Sequence, residues 1–465
     1  KLSKFISFYL KVKFMENIEN VIKNYREEAK EMLGELVSFK SVLEEYRPES
    51  DAPFGVENKK ALAYLLAKAE KDGFAVKNVD NYAGHIEFGS GKEILGILAH
   101  LDVVPAAEEE WDSNPFRLSI RDGRMYARGS IDDKGPLTAA YIALKILKDK
   151  GFEPKKRVRL IAGCDEESGS RCLERYLSRE EKPDLGFSPD AEFPLIYGEK
   201  GMLSYDIYGD VSDDVIAEFI CGNRYNIVPS LAKMKLKISL EEAYLKYLKR
   251  TGYAGEIKDG CYIAYGTAAH AMCPENGVNA AYILFRFLYE NTDSKLAQFF
   301  NTYYLDDTTG KKLGYDIYDR DMKALTSNLA LVQIQNGRLR IGVNCRVPLD
   351  SHFAVIEACV KKAAEEYGYT YKILGTSKRH YVNPDSSLVQ TLMKCYQEVT
   401  GDYVNPPITI GGGTYARAIG NAVAFGPLFV GREDVCHIAN EYIIEEDFYK
   451  AIEIYLRAIY ELSRI

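Results

Sequence analysis

The chain has 465 residues, 46% of them hydrophobic and 28% charged, a composition typical of a globular protein with two or three domains. Its 60 basic and 68 acidic residues give a net charge of −8 with no long basic block, which argues against nucleic acid or an anionic membrane as a partner. The nine cysteines form no C-x-x-C pair, and their odd number favours a reducing, cytoplasmic compartment over a disulfide framework.

The first fourteen residues are not expected to belong to the fold. Residues 1–14 contain four lysines and no acid, and Lys11 and Lys13 interrupt their apolar stretch, so they do not form a signal peptide. Because Met15 follows and opens an amphipathic pattern, we interpret residues 1–14 as a leader from an upstream start or of non-native origin. No run of eighteen apolar residues occurs in the chain, so we expect no transmembrane helix.

Helices and strands alternate from Met15 onward. Apolar spacing predicts one helix over residues 15–36 and a second over residues 59–71, which ends before Gly73. An apolar run predicts a buried strand over residues 93–99, followed by a helix over residues 137–150 and a strand over residues 158–163. This alternation predicts an α/β fold whose mostly parallel sheet is covered by helices on both faces.

Histidine and acidic residues lie at the ends of the predicted strands and just before the predicted helix over residues 137–150. They are His100 and Asp102 after the first strand, Asp132 and Asp133 before the next helix, and Asp165, Glu166, Glu167 and Asp190 after two further strands. An isolated run of acids is usually a solvated turn. Ligands gather at the C-terminal edge of an α/β sheet, however, so the set as a whole favours a metal site.

Four motifs at these positions carry a family resemblance. They are His100-Leu101-Asp102-Val103-Val104-Pro105, Asp132-Asp133-Lys134-Gly135-Pro136, Asp165-Glu166-Glu167-Ser168 and Ser188-Pro189-Asp190-Ala191. Together they resemble the dinuclear-zinc peptidases of the M20 family, and the chain is most similar to the bacterial dipeptidase V (carnosinase-like) branch. Deacylases of the same superfamily share the D-D-K-G and D-E-E elements, so these elements indicate the metal chemistry more firmly than the substrate.

A change in the sequence pattern predicts a divided catalytic domain. After Asp190 the pattern changes to alternating, half-exposed strands, and it returns to buried strands near residues 408–410 and 422–425. We therefore expect residues 15–191 and 381–465 to form the catalytic domain and residues 192–380 an inserted α+β lid domain. An insert of this length resembles the doubled lid of dipeptidase V, which stands in for a partner subunit and implies a monomer.

By resemblance, the metal centre holds two Zn²⁺ ions. The five ligands would be His100, Asp132, Glu167, Asp190 and His437. Asp132 would bridge the ions, with His100 and Asp190 on one and Glu167 and His437 on the other. Mn²⁺ or Co²⁺ suits the same donors. The resemblance further implies a cis peptide bond between Asp132 and Asp133.

The resemblance assigns roles in the reaction to four further residues. A water between the two cations would lose its proton to Glu166, which acts as general base. Asp102 would fix the ring of His100. His270 and Asn226 of the lid would face the developing oxyanion.

A second group of residues would bind the substrate carboxylate. Arg346 would hold the C-terminal carboxylate of a dipeptide together with a glycine turn at a helix start. The turn residues are Gly411, Gly412, Gly413 and Thr414. The remaining histidines, His85, His352 and His380, are interpreted as structural.

Hydrolysis of dipeptides is therefore the expected function. An N-acyl amino-acid deacylase, such as a desuccinylase or deacetylase, would use the same metals and base and would differ in its lid contacts. A noncatalytic metal-binding scaffold would have lost a ligand or the base, and this chain retains all of them.

Overall fold

The computed structural model describes residues 18–211 and 215–464, so the predicted leader lies outside the described residues. The chain forms two compact units. Within the described residues, the first unit comprises residues 18–197, 381–408 and 414–464, and the second comprises residues 198–211, 215–380 and 409–413. Among these residues no helix combines the length and apolar character that a membrane span requires.

The described residues form α-helices in both units. In chain order they are α1 Ile18–Lys23, α2 Arg26–Ser38, α3 Val56–Lys71, α4 Lys134–Asp149, α5 Arg171–Leu177, α6 Glu241–Thr251, α7 Ala280–Asn291, α8 Lys295–Tyr303, α9 Phe353–Glu366, α10 Ser387–Thr400 and α11 Glu445–Ser463.

The strands range from two-residue bridges to ten-residue ladders. In chain order they are β1 Ala75–Val79, β2 Ala83–Phe88, β3 Ile94–His100, β4 Ser119–Arg121, β5 Arg124–Tyr126, β6 Arg157–Gly163, β7 Leu185–Ser188, β8 Ala191–Glu192, β9 Ile196–Glu199, β10 Gly201–Asp210, β11 Ile216–Cys221, β12 Leu231–Leu236, β13 Ala254–Lys258, β14 Cys261–Tyr265, β15 Tyr318–Asp319, β16 Lys323–Ala324, β17 Thr326–Gln335, β18 Arg338–Val347, β19 Thr370–Ser377, β20 His380–Tyr381, β21 Ile408–Ile410, β22 Ala422–Ala424, β23 Pro427–Leu428 and β24 Tyr442–Ile444.

The central sheet of the first unit is parallel in its middle and antiparallel at its edge. Its strand order begins β1-β2-β6-β3-β7-β22, and it continues through β9 and β20, in which the chain passes between the units. Strand β3 pairs in parallel with β6 and β7, and β22 pairs in parallel with β7, whereas β1 and β2 run antiparallel. Every residue of β3 is buried, as expected of a strand covered on both faces. The predicted α/β class is confirmed.

The predicted first helix differs from the structure. The chain forms two helices, α1 and α2, instead of one continuous helix over residues 15–36. Helix α1 ends in 3₁₀-type hydrogen bonds between residues three apart. The amide of Asn24 donates to the carbonyl of Val21, and the amide of Tyr25 donates to that of Ile22. Such tight turns commonly end an α-helix, and here they separate two segments that share one apolar pattern.

The second unit contains one continuous eight-stranded sheet. Its order is β13-β14-β12-β11-β17-β18-β10-β19, and every neighbouring pair is antiparallel. The longest ladders join β17 to β18 and β18 to β10. Buried residues of these strands and of helices α6 to α9 form a second hydrophobic core.

The unit boundaries depart from the predicted domain boundaries at two places. Phe193, which falls in the predicted insert of residues 192–380, belongs to the first unit, where its ring packs on Tyr396, Phe425, Phe429 and Tyr455. Residues 409–413, predicted to belong to the catalytic domain, lie in the second unit. Hydrogen bonds explain the second difference, since the amide of Lys200 donates to Ile410 O and the hydroxyl of Thr409 donates to Asp321 O.

Close approach of β3 and β7 predicts a stability effect at Gly186. A Cβ atom there would lie 2.2 Å from the carbonyl oxygen of Gly96, so Gly186→Ala must push the two strands apart. We expect a loss of about 1–3 kcal/mol in the free energy of unfolding, measured by urea denaturation. The matched control is Gly375→Ala on strand β19, where a Cβ meets nothing within 4 Å and the change should stay within about 0.5 kcal/mol. Equal stability of the two variants would contradict this packing argument.

Candidate metal centre

Five histidine and carboxylate side chains converge at the C-terminal edge of the first unit's sheet. His100 ends β3, Glu167 and Asp190 follow β6 and β7, Asp132 precedes α4, and His437 lies in the loop between β23 and β24. The structure brings together all five predicted ligands. They form two groups, His100, Asp132 and Asp190, and Asp132, Glu167 and His437, whose donor atoms lie within 4.8 Å of one another.

Asp132 is the member shared by both groups. One of its carboxylate oxygens lies 2.9 Å from Nε2 of His100, and the other lies 2.8 Å from Nε2 of His437. Nε2 of His100 is also 3.7 Å from Asp190, and Nε2 of His437 is 3.1 Å from Glu167. The peptide bond between Asp132 and Asp133 is cis, as predicted.

The charges of this cluster fit divalent cations. Burial, together with the nearby Asp132, raises the pKa of Glu167 to about 7, and burial also raises the pKa of Asp190. Burial lowers the pKa of His437, but its hydrogen bonds to Asp132 and Glu167 outweigh this effect and raise the pKa to about 11. The carboxylates therefore need positive charge nearby to stay ionised. Cations bound by neutral imidazoles would supply that charge.

The three consecutive acids at the end of β6 have three different environments. Asp165 is buried and forms a two-point ion pair with Arg171, with N–O distances of 2.6 and 2.7 Å. Glu167 belongs to the second metal group, and Glu166 belongs to neither. Burial raises the pKa of Glu166 well above its ordinary value, and the neighbouring Asp190 adds to this shift. The acid run is thus not a solvated turn.

Asp102 has a different contact pattern from the one expected. Nδ1 of His100 lies 2.9 Å from the backbone oxygen of Asp102 and 3.5 Å from its carboxylate. A proton donated from Nδ1 to this carbonyl leaves Nε2 with its lone pair free for a metal. The carboxylate of Asp102 instead accepts the backbone amides of Glu166 and Glu167, at 3.0 and 3.1 Å. Asp102 therefore holds both the end of strand β3 and the acidic loop that follows strand β6.

Glu441 lies beside this centre and was not predicted to have a role there. Its buried carboxylate accepts the amides of Gly129 and Ile131, at 2.9 and 3.1 Å, and the guanidinium of Arg128 at 2.5 Å. Arg128 also lies over the ring of Trp111, 5.3 Å from its centroid. Glu441 follows His437 in the same loop, so one side chain ties that loop to the turn that carries Asp132. The available signal was an acid four residues after the ligand histidine.

The predicted lid residues Asn226, His270 and Arg346 lie in the second unit. The side chains of Asn226 and His270 are exposed. Nδ1 of His270 accepts the amide of Met272 at 3.2 Å, so in the neutral ring Nε2 carries the proton. Arg346 is 5% exposed and donates to the carbonyl of Gly411 at 3.0 Å.

The glycine turn differs from its expected form. Gly412 and Gly413 belong to the second unit, and Thr414 belongs to the first. The helix that follows is a 3₁₀-helix of four residues, Tyr415–Ala418, whose first turn is capped by the hydroxyl of Thr414. A helix of this length has little dipole to offer a carboxylate.

Known peptidases resemble this chain in sequence and in fold. A family model described as peptidase family M20/M25/M40 matches residues 96–461. "Putative dipeptidase YtjP" of Bacillus subtilis is 40% identical over 449 residues, which cover 92% of this chain and 96% of the relative. A "Putative dipeptidase" of Staphylococcus epidermidis is 37% identical over 462 residues, covering 95% and 98%. Human carnosine dipeptidase 1 shares the fold with a TM-score of 0.60 at 17% identity, covering 97% of this chain and 100% of that one.

Substitution of Glu441 is predicted to weaken metal binding, although Glu441 is not one of the proposed ligands. Glu441→Gln should weaken cation binding by about tenfold or more, because the turn carrying Asp132 loses its anionic acceptor. Calorimetric titration of metal-free protein measures this effect. The control is Glu453→Gln, which removes a less deeply buried Glu–Arg ion pair from helix α11, away from the metal groups. If both variants bind metal as the unaltered chain does, Glu441 has no part in organising the centre.

Proposed function

The chain belongs to peptidase family M20/M25/M40, and from that membership we propose that it is a dipeptidase acting through a two-cation centre at Asp132. One observation carries the proposal: Asp132 is shared by two donor groups, while the acid next to Glu167, Glu166, belongs to neither group. Two relatives named as dipeptidases, at 37% and 40% identity over nearly their whole length, support the substrate class.

We propose Zn²⁺ as the metal, two ions per chain, with Mn²⁺ or Co²⁺ compatible with the same donors. His100 and Asp190 would hold one ion, Glu167 and His437 the other, and Asp132 both. Bound there, the cations would polarise the scissile carbonyl and lower the pKa of a water molecule.

Glu166 would act as the general base. Its carboxylate would take the proton of the attacking water and later pass it to the leaving amine. The amides of Glu166 and Glu167 are held by Asp102, so the base and the neighbouring ligand have a common support. This arrangement limits the positions that the Glu166 carboxylate can take.

The second unit would supply the substrate contacts. His270, with its Nε2 proton, and Asn226 would donate to the oxygen on which negative charge develops. Arg346 would pair with the free carboxylate of the dipeptide, and Gly412, Gly413 and Thr414 would contact the same carboxylate. We propose a monomer, because the insert is long enough to resemble a doubled lid that stands in for a partner subunit. A cytoplasmic location remains a proposal based on cysteine usage.

The first test separates the base from the ligand beside it. Glu166→Gln should keep the metal content of the unaltered protein while kcat falls by roughly 10²-fold or more, the range for a lost proton transfer. Glu167→Gln is the matched comparison, one residue away, and should lose metal from the group that contains His437. Elemental analysis and dipeptide kinetics measure the two effects. Metal loss in Glu166→Gln would reverse the two assignments.

The second test concerns the substrate carboxylate. Unblocked dipeptides should be cleaved efficiently, C-terminally amidated dipeptides poorly, and tetrapeptides hardly at all. An uncharged amide opposite the buried Arg346 would leave the guanidinium without its partner carboxylate, a loss of about 2–5 kcal/mol. The measurement is kcat/KM over this panel. Efficient turnover of N-succinyl or N-acetyl amino acids, with dipeptides untouched, would identify a deacylase instead.

A further inference from the structure

Two rows of side chains cross three neighbouring strands on one face of the second unit's sheet. Strand β18 lies between β10 and β17, and residues paired directly across antiparallel strands project from the same face. The first row is Ser204, Asn344 and Asn328, and the second is Met202, Arg346 and Thr326. Asn328 is 1% exposed and Asn344 is 5% exposed, so both amides are buried polar groups.

Asn328 holds the chain on both sides of Asn226. Its side-chain NH₂ donates to the carbonyl of Tyr225 at 3.1 Å and to the carbonyl of Ile227 at 3.0 Å. A carboxamide has two N–H groups and can satisfy two carbonyls, whereas a hydroxyl has one and a carboxylate has none. An asparagine at this position therefore fixes the backbone around Asn226 with a single side chain.

The same segment is joined to the one that carries His270. Ile227 and His270 form an antiparallel bridge, in which the Ala271 amide donates to Asn226 O at 2.9 Å. On the other side of His270, the amide of Val228 donates to the carbonyl of Ala269 at 2.8 Å.

A further contact ties this bridge to the sheet. The hydroxyl of Thr326, two residues before Asn328 on β17, donates to the carbonyl of Ala271 at 3.1 Å. The backbone of both segments is therefore held while the side chains of Asn226 and His270 stay exposed. Fixing Asn226 in this way also fixes His270.

Asn344 orients the guanidinium of Arg346. Its Oδ1 accepts Nε–H of Arg346 at 2.9 Å, and its NH₂ donates to the hydroxyl of Ser204 at 3.0 Å. The Arg346 guanidinium also donates to the carbonyl of Gly411 at 3.0 Å. A planar guanidinium held by both Asn344 and Gly411 has its orientation fixed, and carboxylate recognition by arginine depends on that orientation.

We propose that Asn328 and Asn344 are positioning residues with separate tasks. Asn328 sets the Asn226 and His270 side chains that stabilise the oxyanion, and Asn344 sets the Arg346 guanidinium that binds the substrate carboxylate. The inference rests on the proposed dipeptidase function, because these tasks exist only if the three side chains contact substrate. Both asparagines would act through these side chains, without a substrate contact of their own.

Separate tasks predict separate kinetic effects. Asn328→Ala should lower kcat by about tenfold or more and leave the preference for free over amidated dipeptides unchanged, since misplacement by about 1 Å can cost far more than this. Asn344→Ala should raise KM for free dipeptides by about tenfold and reduce that preference, with kcat nearly unchanged. A purely structural role would lower the active fraction in both variants without this division.

Control variants sharpen the test. Gln333→Ala alters a residue of the same ladder, paired with Arg340, and should change neither parameter. Asn226→Ala combined with Asn328→Ala should lose less activity than the product of the two single losses, because Asn328 acts partly through Asn226. If Asn328→Ala does not fold, Asn328→Ser keeps one donor and should show the same kcat effect in milder form.

The outcomes distinguish the inference from the function on which it rests. A metal-loaded, unaltered protein that cleaves dipeptides, together with the divided kcat and KM effects, supports the inference. An active unaltered protein whose folded Asn328 and Asn344 variants stay within about twofold of it, or change both parameters alike, overturns the inference alone. An unaltered protein that cleaves no dipeptide overturns the proposed function and the inference with it.

Discussion

Sharing of the Asp132 carboxylate between two imidazoles is the interaction on which the rest of the site depends. Its two oxygens approach His100 and His437 from opposite sides, and Asp190 and Glu167 complete the two groups. Several carboxylates this close together repel one another once they are taken out of water. The cluster is stable as a charged site only with positive charge between its members, and that requirement links the fold to metal chemistry.

The scaffold meets this electrostatic demand with backbone contacts and a buried ion pair. Asp102 accepts two amides of the acidic loop, and Glu441 accepts amides of the turn that carries Asp132. Arg128 balances the charge of Glu441, and Arg171 removes Asp165 from the cluster. Asp165 and Glu441 thus each have a cationic partner, and a buried charge left without one would be expensive. The second unit applies the same device with neutral amides at Asn328 and Asn344.

Local sequence patterns predicted the sheet, whereas the five ligands, His437 above all, were assigned through the family resemblance. The apolar run before His100 and the helical spacing after Asp132 fix where the chain changes direction, and the side chains at those points carry the chemistry. Contacts between distant segments were not predictable in this way. Glu441 meets Gly129 across 312 residues, and Asn328 meets Tyr225 across 103, so no short motif joins either pair. The place of residues 409–413 likewise depends on hydrogen bonds to distant strands and not on their own glycine-rich pattern.

The central claim is that Asp132 bridges two cations, and anomalous diffraction from crystals grown with Zn²⁺ tests it most directly. Data from both sides of the zinc absorption edge should show two peaks per chain, each at about 2.0–2.2 Å from its ligands. One peak should contact His100 and Asp190, the other Glu167 and His437, and each should contact one oxygen of Asp132. A single peak, or a peak coordinated by Glu166, would contradict the account.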